Sequence, residues 1–190
     1  MRTQLKPAIV LLVLFTFITG VLYPLAITAL AQVAFPQQAN GSLIIENGQP
    51  VGSNLIGQPF DDPAYFWGRL SATGPVPYNA AASSGSNLGP TSATLMGNIQ
   101  ARLDALHAAD PGNDAPVPVD LATASASGLD PHISLAAARY QAARVARVRG
   151  LDLAEVNRLI NEYMEGRTFG LLGEPRVNVL LLNLALDELK

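Results

Sequence analysis

Ser125, Ser127, Asp130 and His132 lie within eight consecutive positions. They are the residue types of a nucleophile, an orienting acid and a general base, and a hydrolytic triad needs all three to meet in space. Serine and aspartate in such a stretch have a simpler use as turn formers and helix caps. Hydrolysis by Ser125, Asp130 and His132 therefore competes with plain turn chemistry. Asp61, Asp62 and Asp104 are isolated carboxylates without the helical spacing of an acid/base couple. Arg139, Arg144, Arg147 and Arg149 share one expected helix, spread around it at about 100° per residue. They read as a solvated helix end that complements the dipole, with docking of an acidic partner as the alternative.

Other chemistry is excluded by missing motifs. The sequence has no G-x-x-x-x-G-K-[ST] phosphate loop, no H-E-x-x-H and no EF-hand pattern. It also lacks a G-x-S-x-G elbow. With no cysteine, disulfides, thiolate metal sites and thiol catalysis are ruled out. His107 and His132 are too few and too far apart for a histidine-rich metal site. No metal or cofactor is expected to bind directly. The net charge of −3 argues against nucleic acid, which basic clusters would mark.

The elements that would position these residues begin with an oily segment. The 190 residues are 49% hydrophobic and 14% charged, against roughly 25% charged in ordinary soluble domains. Residues 7–45 carry no charge at all, and residues 7–31 are almost wholly apolar. A helix of that length reaches about 37 Å, and a bilayer core is about 30 Å thick. Arg2 and Lys6 precede it, and no Lys or Arg follows until Arg69. The positive-inside rule then keeps residues 1–6 cytoplasmic, makes 7–33 the transmembrane helix and sends 34–190 outside.

A cleaved signal peptide is the competing reading, since Ala29-Leu30-Ala31 fits an A-x-A site and would release a secreted binding protein. A signal core is usually about 7–15 residues, and this one is much longer. Thr16, Gly20, Pro24 and Thr28 recur every four positions along one side of the span. Small residues at that spacing let a second helix approach, and threonines hydrogen-bond across. Pro24 is expected to kink the span and free a carbonyl that a neighbouring helix would cover.

Residues 34–190 suffice for one self-supporting domain. Asn47-Gly48 between short apolar runs predicts a hairpin. Residues 65–69, with three aromatics, read as a strand, with the rings packed in the core and a protein-contact surface as second choice. Residues 71–91, rich in Ser, Asn, Gly, Pro and Ala, form a long loop. It is either a mobile excursion or an ordered loop that turns its carbonyls and hydroxyls to a ligand or partner. A helix starts near Ser92, with Leu95, Ile99, Leu103 and Leu106 as its stripe, and ends before Asp110. Residues 117–121 alternate like a strand. A second helix follows, with Asp130 or Ser134 as its cap, and stops at Gly150. Asp152 and Glu155 have capping-box spacing for a third, whose stripe is Val156, Leu159, Ile160 and Tyr163. Residues 177–182 read as a buried strand, and 183–189 as a short helix. The fold class expected is one transmembrane helix followed by a mixed α/β (α+β) extracytoplasmic domain.

Ordered blocks of residues carry a family resemblance. They are Thr19-Gly20-Val21-Leu22-Tyr23-Pro24-Leu25, Gln38-Ala39-Asn40-Gly41-Ser42-Leu43, Leu55-Ile56-Gly57-Gln58 and Tyr65-Phe66-Trp67-Gly68-Arg69. Then come Ser71-Ala72-Thr73, Pro77-Tyr78-Asn79, Ser84-Gly85-Ser86-Asn87-Leu88, the run from Leu121 to Asp130, and Arg144-Val145-Ala146. Val177-Asn178-Val179 and Leu182-Asn183-Leu184-Ala185-Leu186-Asp187 complete the set. Over nearly its whole length the chain resembles the KdpC family, accessory subunits of the bacterial Kdp potassium-transporting ATPase. The resemblance implies a four-subunit inner-membrane complex. A channel-like subunit would carry potassium, a P-type ATPase subunit would hydrolyse ATP, and a small single-span subunit would complete the set. A chain like this one would be non-catalytic and needed for assembly and activity. It lacks D-K-T-G-T and T-V-G-Y-G, so it would neither be phosphorylated nor filter ions. The family is also described as a catalytic chaperone that raises the ATP affinity of the pump subunit, with a glutamine meeting the nucleotide. The position implied here is Gln141. An outer domain would stand across the membrane from ATP, which makes any such effect indirect.

Overall fold

The computed structural model describes residues 2–189. Met1 and Lys190, the ends of the expected cytoplasmic and outer segments, lie outside the described residues. The chain divides into two compact units, residues 1–51 and 52–190.

The first unit is dominated by a helix that is long and apolar enough to cross a membrane. It runs over Thr3–Ala34, with a mean hydropathy of 2.4 and none of that window buried. Two α-helical stretches compose it, α1 (Arg2–Phe17) and α2 (Tyr23–Ala34), joined by a π-helical turn over Ile18–Leu22. The π turn has a physical cause in Pro24. Proline has no N–H to give, and its ring would strike the carbonyl four residues back, at Gly20. Widening the turn avoids the collision, and the Tyr23 N–H reaches back five residues to Ile18 O instead. The expected kink is thus a π turn upstream of the proline. The Thr19 hydroxyl also donates to Phe15 O at 2.7 Å. A one-turn helix, α3 (Pro36–Ala39), follows.

The Asn47-Gly48 hairpin forms as its sequence requires. Strands β1 (Leu43–Glu46) and β2 (Gln49–Ser53) pair across it. Asn47 and Gly48 both take positive φ, 50° and 77°, as a type I′ turn demands.

In the second unit a small sheet carries helices. Helix α4 (Ala93–Ala109) is capped by Ser92, whose hydroxyl accepts from Leu95 N. The expected strand at 117–121 is instead a single helical turn, α5 (Val119–Ala122), because Pro118 fixes φ at −59° at its N-cap. Strand β3 (His132–Ser134) is short and runs straight into α6 (Leu135–Arg149). Ser134 caps α6 by accepting from Ala137 N, and Gly150 ends it with a φ of 69°. Asp152 caps α7 (Leu153–Glu162). Strands β4 (Met164–Glu165) and β5 (Arg176–Asn178) complete an antiparallel sheet ordered β3-β5-β4, with Ile133 opposite Val177 and Met164 opposite Val177 on the other edge. The buried strand expected over 177–182 ends after two residues. Asn178 turns it into helix α8 (Val179–Glu188) by accepting from Leu181 N.

Helix α7 packs against α6 and α8, and α6 and α8 lie against this sheet. Phe66, Leu121, Ile133, Val145, Val156, Ile160, Val177, Leu182 and Leu186 form the centre of the core. Burying each of the large ones contributes about 2 kcal/mol. The inner face of α6 is built from Ala137, Ala138, Ala142 and Ala146. Such small side chains let a neighbouring backbone come close to the helix axis.

Candidate functional site

The neighbouring backbone is residues 62–69. The sequence reads residues 65–69 of this segment as a strand, yet among the described residues it joins no sheet. Side-chain amides take the place of a partner strand. Trp67 N donates to Gln141 Oε1 at 2.8 Å, and Gln141 Nε2 donates back to Trp67 O at 3.1 Å. One residue earlier, Phe66 N donates to Asn183 Oδ1 at 2.9 Å and Asn183 Nδ2 donates to Phe66 O at 3.0 Å. A carboxamide offers one acceptor and two donors, so each can imitate a peptide unit. One comes from α6 and the other from α8. A buried peptide group without such a partner costs about 1–3 kcal/mol.

Arginines finish the clamp. Arg144 donates to the carbonyls of Pro63 and Tyr65 and to Gln141 Oε1. Arg149 donates to Ala64 O and to Asp187, while its guanidinium lies 4.6 Å from the centre of the Tyr65 ring. The Tyr65 hydroxyl donates to Asp187 as well. Arg102 of α4 donates to Gly68 O and Leu121 O. Both Arg102 and Arg144 hold their charge 5.0 Å from the centre of the Trp67 ring. Burial lowers Arg144 to about 10, a pull that Asp110 opposes, and Arg102 is lowered by burial too. Both stay cationic at neutral pH.

This corrects the reading of the α6 arginines as a solvated end. Arg144 is 2% exposed and Arg149 sits half-buried against Tyr65, whereas Arg139 and Arg147 are exposed, Arg147 pairing with the buried Asp110 at 2.8 Å. Gln141, the position implied for a nucleotide, is 1% exposed with both amide atoms engaged.

The loop over residues 71–91 is tied to the 125–130 turn, with the Ser71 and Thr73 hydroxyls half-buried and bonded within the protein. Ser71 Oγ donates to Gly128 O at 2.7 Å and accepts from Tyr78 N at 2.8 Å. Thr73 Oγ1 accepts from Asn79 N, and Ser84 N donates to Ser127 O at 2.9 Å. The Tyr78 hydroxyl donates to Arg69 O at 2.6 Å, and burial pushes its pKa to about 12. Gly128 has a φ of 69°, and a Cβ there would lie 2.5 Å from Thr73 Cγ2 and 2.8 Å from Ser84 O. Only glycine admits the loop so near.

Beside this platform lies a cleft of about 560 Å³ lined by Arg69, Asp120, Asp130, His132, Glu174 and Arg176 among others. Its charged residues join a series of alternating sign that Glu165 continues. Arg69 pairs with Asp130 at 3.2 Å, Asp130 faces His132 Nδ1 at 3.3 Å, His132 Nε2 faces Glu165 at 3.7 Å, and Glu165 pairs with Arg176 at 2.9 Å. Burial would raise the Asp130 carboxyl. Hydrogen bonds from the His132 ring and backbone N–H, with the His132 and Arg69 charges, outweigh it and hold the group below its ordinary range.

Half a triad is therefore present, in Asp130 and His132. The nucleophile is not delivered. Ser125 is buried with its N–H on Leu70 O, and Ser127 Oγ accepts from Leu129 N. Among the described residues no hydrogen bond joins either hydroxyl to His132, and a carboxylate stands before Nε2. Asp62 caps Ala64 N, and Asp104 accepts from Gln100. No metal-binding group of three His, Asp or Glu occurs among the described residues. On the N-terminal helix, Thr16 precedes the π turn, Gly20 lies inside it, and Pro24 and Thr28 follow it.

Comparison with known proteins settles the kinship. The family model described as KdpC, K+-transporting ATPase, c chain, matches residues 5–188. The chain belongs to the KdpC family. A potassium-transporting ATPase KdpC subunit of Methylococcus capsulatus is 64% identical over 190 residues, covering all of both chains. Those of Herpetosiphon aurantiacus and Polaromonas naphthalenivorans are 63% and 65% identical over all of this chain and 98% and 97% of theirs.

The blocks that carry the KdpC resemblance now have structural roles. Residues 65–69 are the clamped segment, 71–73 and 84–88 meet the 125–130 turn, and 177–187 are β5 and α8 with their two inward asparagines. Sequence reasoning missed Asn183 and Arg102. A signal was present for Asn183, since an amide inside the run Val179–Glu188 needs a partner once buried. Arg102 carried none, because helical charges are usually solvated.

Proposed function

We propose that this KdpC-family chain is a non-catalytic accessory subunit of an ATP-driven potassium uptake complex in the bacterial inner membrane. It assembles with a channel-like subunit, a P-type ATPase subunit and a small single-span subunit, stabilises them and couples their work. Potassium and ATP are handled by those partners. Residues 1–6 stay in the cytoplasm and the folded domain stands outside. The observation that carries this reading is the Thr3–Ala34 helix, long and apolar enough to cross a membrane and with none of its apolar window buried, on a chain matching the KdpC model over residues 5–188.

The face of Thr16, Gly20, Pro24 and Thr28 is the helix contact. Gly20 has nothing within 4 Å of where a Cβ would sit, so its backbone is open to a partner. Pro24 has no N–H to give, which removes one donor from its own helix, and in lipid only a neighbour can supply one. Gln141 acts as a clamp for Trp67, and any effect on ATP affinity passes through subunit contacts. Copurification of the complex from native membranes tests the reading. Wild-type chain should bring down the other subunits, and protease outside sealed spheroplasts should cut the folded domain. Recovery of the wild-type chain alone, or cleavage only from inside, would overturn it.

A further inference from the structure

The β4–β5 connection, residues 166–175, presents an apolar tip to solvent. Phe169 is 90% exposed, Leu171 80% and Leu172 63%. Exposed single apolar residues are ordinary, but three within four positions at the end of a hairpin are not. Nor is the tip slack. Thr168 and Leu172 form a bridge, with Thr168 N on Leu172 O at 2.9 Å and Leu172 N on Thr168 O at 3.0 Å. Gly170 N closes the turn on Arg167 O, and Arg167 clasps Glu174 at 2.8 Å across its base. Phe169 is held at a φ of 55°, a conformation that non-glycine residues seldom take.

Charge selects the occupant. Of the two arginines at the base, Arg167 is neutralised by Glu174 and Arg176 by Glu165. Residues 34–190 hold all 15 acids of the chain against ten bases. Anionic headgroups attract surplus cations, and this surface offers none. A pre-shaped turn that projects one aromatic and two leucines, ringed by paired charges, has instead the make-up of an interface anchor: apolar side chains for a pocket, inside a polar rim. Preorganisation lowers the ordering cost of docking such a tip.

We infer that Phe169, Leu171 and Leu172 plug into an uncharged apolar pocket on another protein subunit of the transport complex. The inference rests on the accessory-subunit reading and names a contact within it. Its test is a photocrosslinking residue at Leu171 of the full chain, expressed with the other subunits of the complex, and a triple Ser variant of Phe169, Leu171 and Leu172. Crosslinked peptides should map to a partner subunit of the complex. The triple variant should keep the wild-type unfolding midpoint, because these side chains touch no core, while recovery of partner subunits falls at least tenfold. Crosslinks to lipid only, no crosslink, or undiminished recovery would each overturn the inference. Failure of the wild-type chain itself to copurify would instead indict the accessory-subunit reading.

Discussion

The N-terminal helix and the clamped segment at 62–69 satisfy their backbones in opposite ways. The helix bonds its own peptide groups to one another and needs nothing from the rest of the chain, apart from the one donor that Pro24 lacks. Residues 62–69 have no regular partner and borrow one from side chains up to about 120 residues away, Gln141, Arg144 and Asn183. The helix is stable wherever lipid surrounds it. The clamped segment exists only if α6 and α8 are already in place. The comparison teaches where each region is fragile: the helix in its contacts with others, the clamped segment in single polar side chains.

Arg144→Met should test this hardest. It leaves the carbonyls of Pro63 and Tyr65 without the guanidinium and the Gln141 oxygen with Trp67 N as its remaining donor, and the expected loss is about 3–4 kcal/mol in urea unfolding of the full chain in micelles. A loss below about 1 kcal/mol would show that apolar packing holds the segment unaided. Gln141→Leu keeps the volume but orphans both Trp67 peptide groups, for about 2–3 kcal/mol by the same assay. Gly128→Ala should cost about 2 kcal/mol through its positive φ and the approach of Thr73 and Ser84, with faster proteolysis of the 71–91 loop.

Asp130 gives a pH test. Its folded pKa is depressed below the ordinary 3.8, so its stabilisation is complete above that value and lost as pH falls through the lower, folded one. Thermal midpoints of wild type should drop more steeply below about pH 4 than those of Asp130→Asn. Parallel curves would show the pairings with His132 and Arg69 to be idle. The smallest effect on folding is expected at the helix. Gly20→Leu should change domain unfolding by less than about 0.5 kcal/mol, yet abolish copurification of the complex. Undiminished copurification would move the helix contact to another face.

Local signals were legible in the chain itself. The apolar length of residues 7–31, the Asn47-Gly48 turn, the helix start near Ser92, the cap at Asp152 and the stop at Gly150 are set by neighbours a few positions apart, and of the two caps open for α6 the structure uses Ser134 rather than Asp130. Their physics is short-ranged, so reading them needs no fold. The strand readings fared worse. Residues 65–69 and 117–121 have the composition of strands, but one is paired by side chains and the other is a turn of helix. In residues 177–182 an apolar run hides the change from strand to helix at Asn178. Apolar content reports burial without telling which element is buried.

The candidate site divides along the same line. Asp130 and His132 are two residues apart, and their pairing could be anticipated. Glu165 and Arg176 join them only because β3, β5 and β4 stand side by side. From sequence Gln141 and Arg144 pass for ordinary surface residues of an alanine-rich helix. That they are buried, and grip a strand with no sheet, follows from the packing of α6 against residues 62–69. Composition and nearest-neighbour chemistry therefore determined that the chain has a helix apolar enough to span a membrane and a capped, mixed domain. Which polar groups replace water inside that domain was decided by the tertiary structure, because a hydrogen bond between distant residues has no trace in either local sequence.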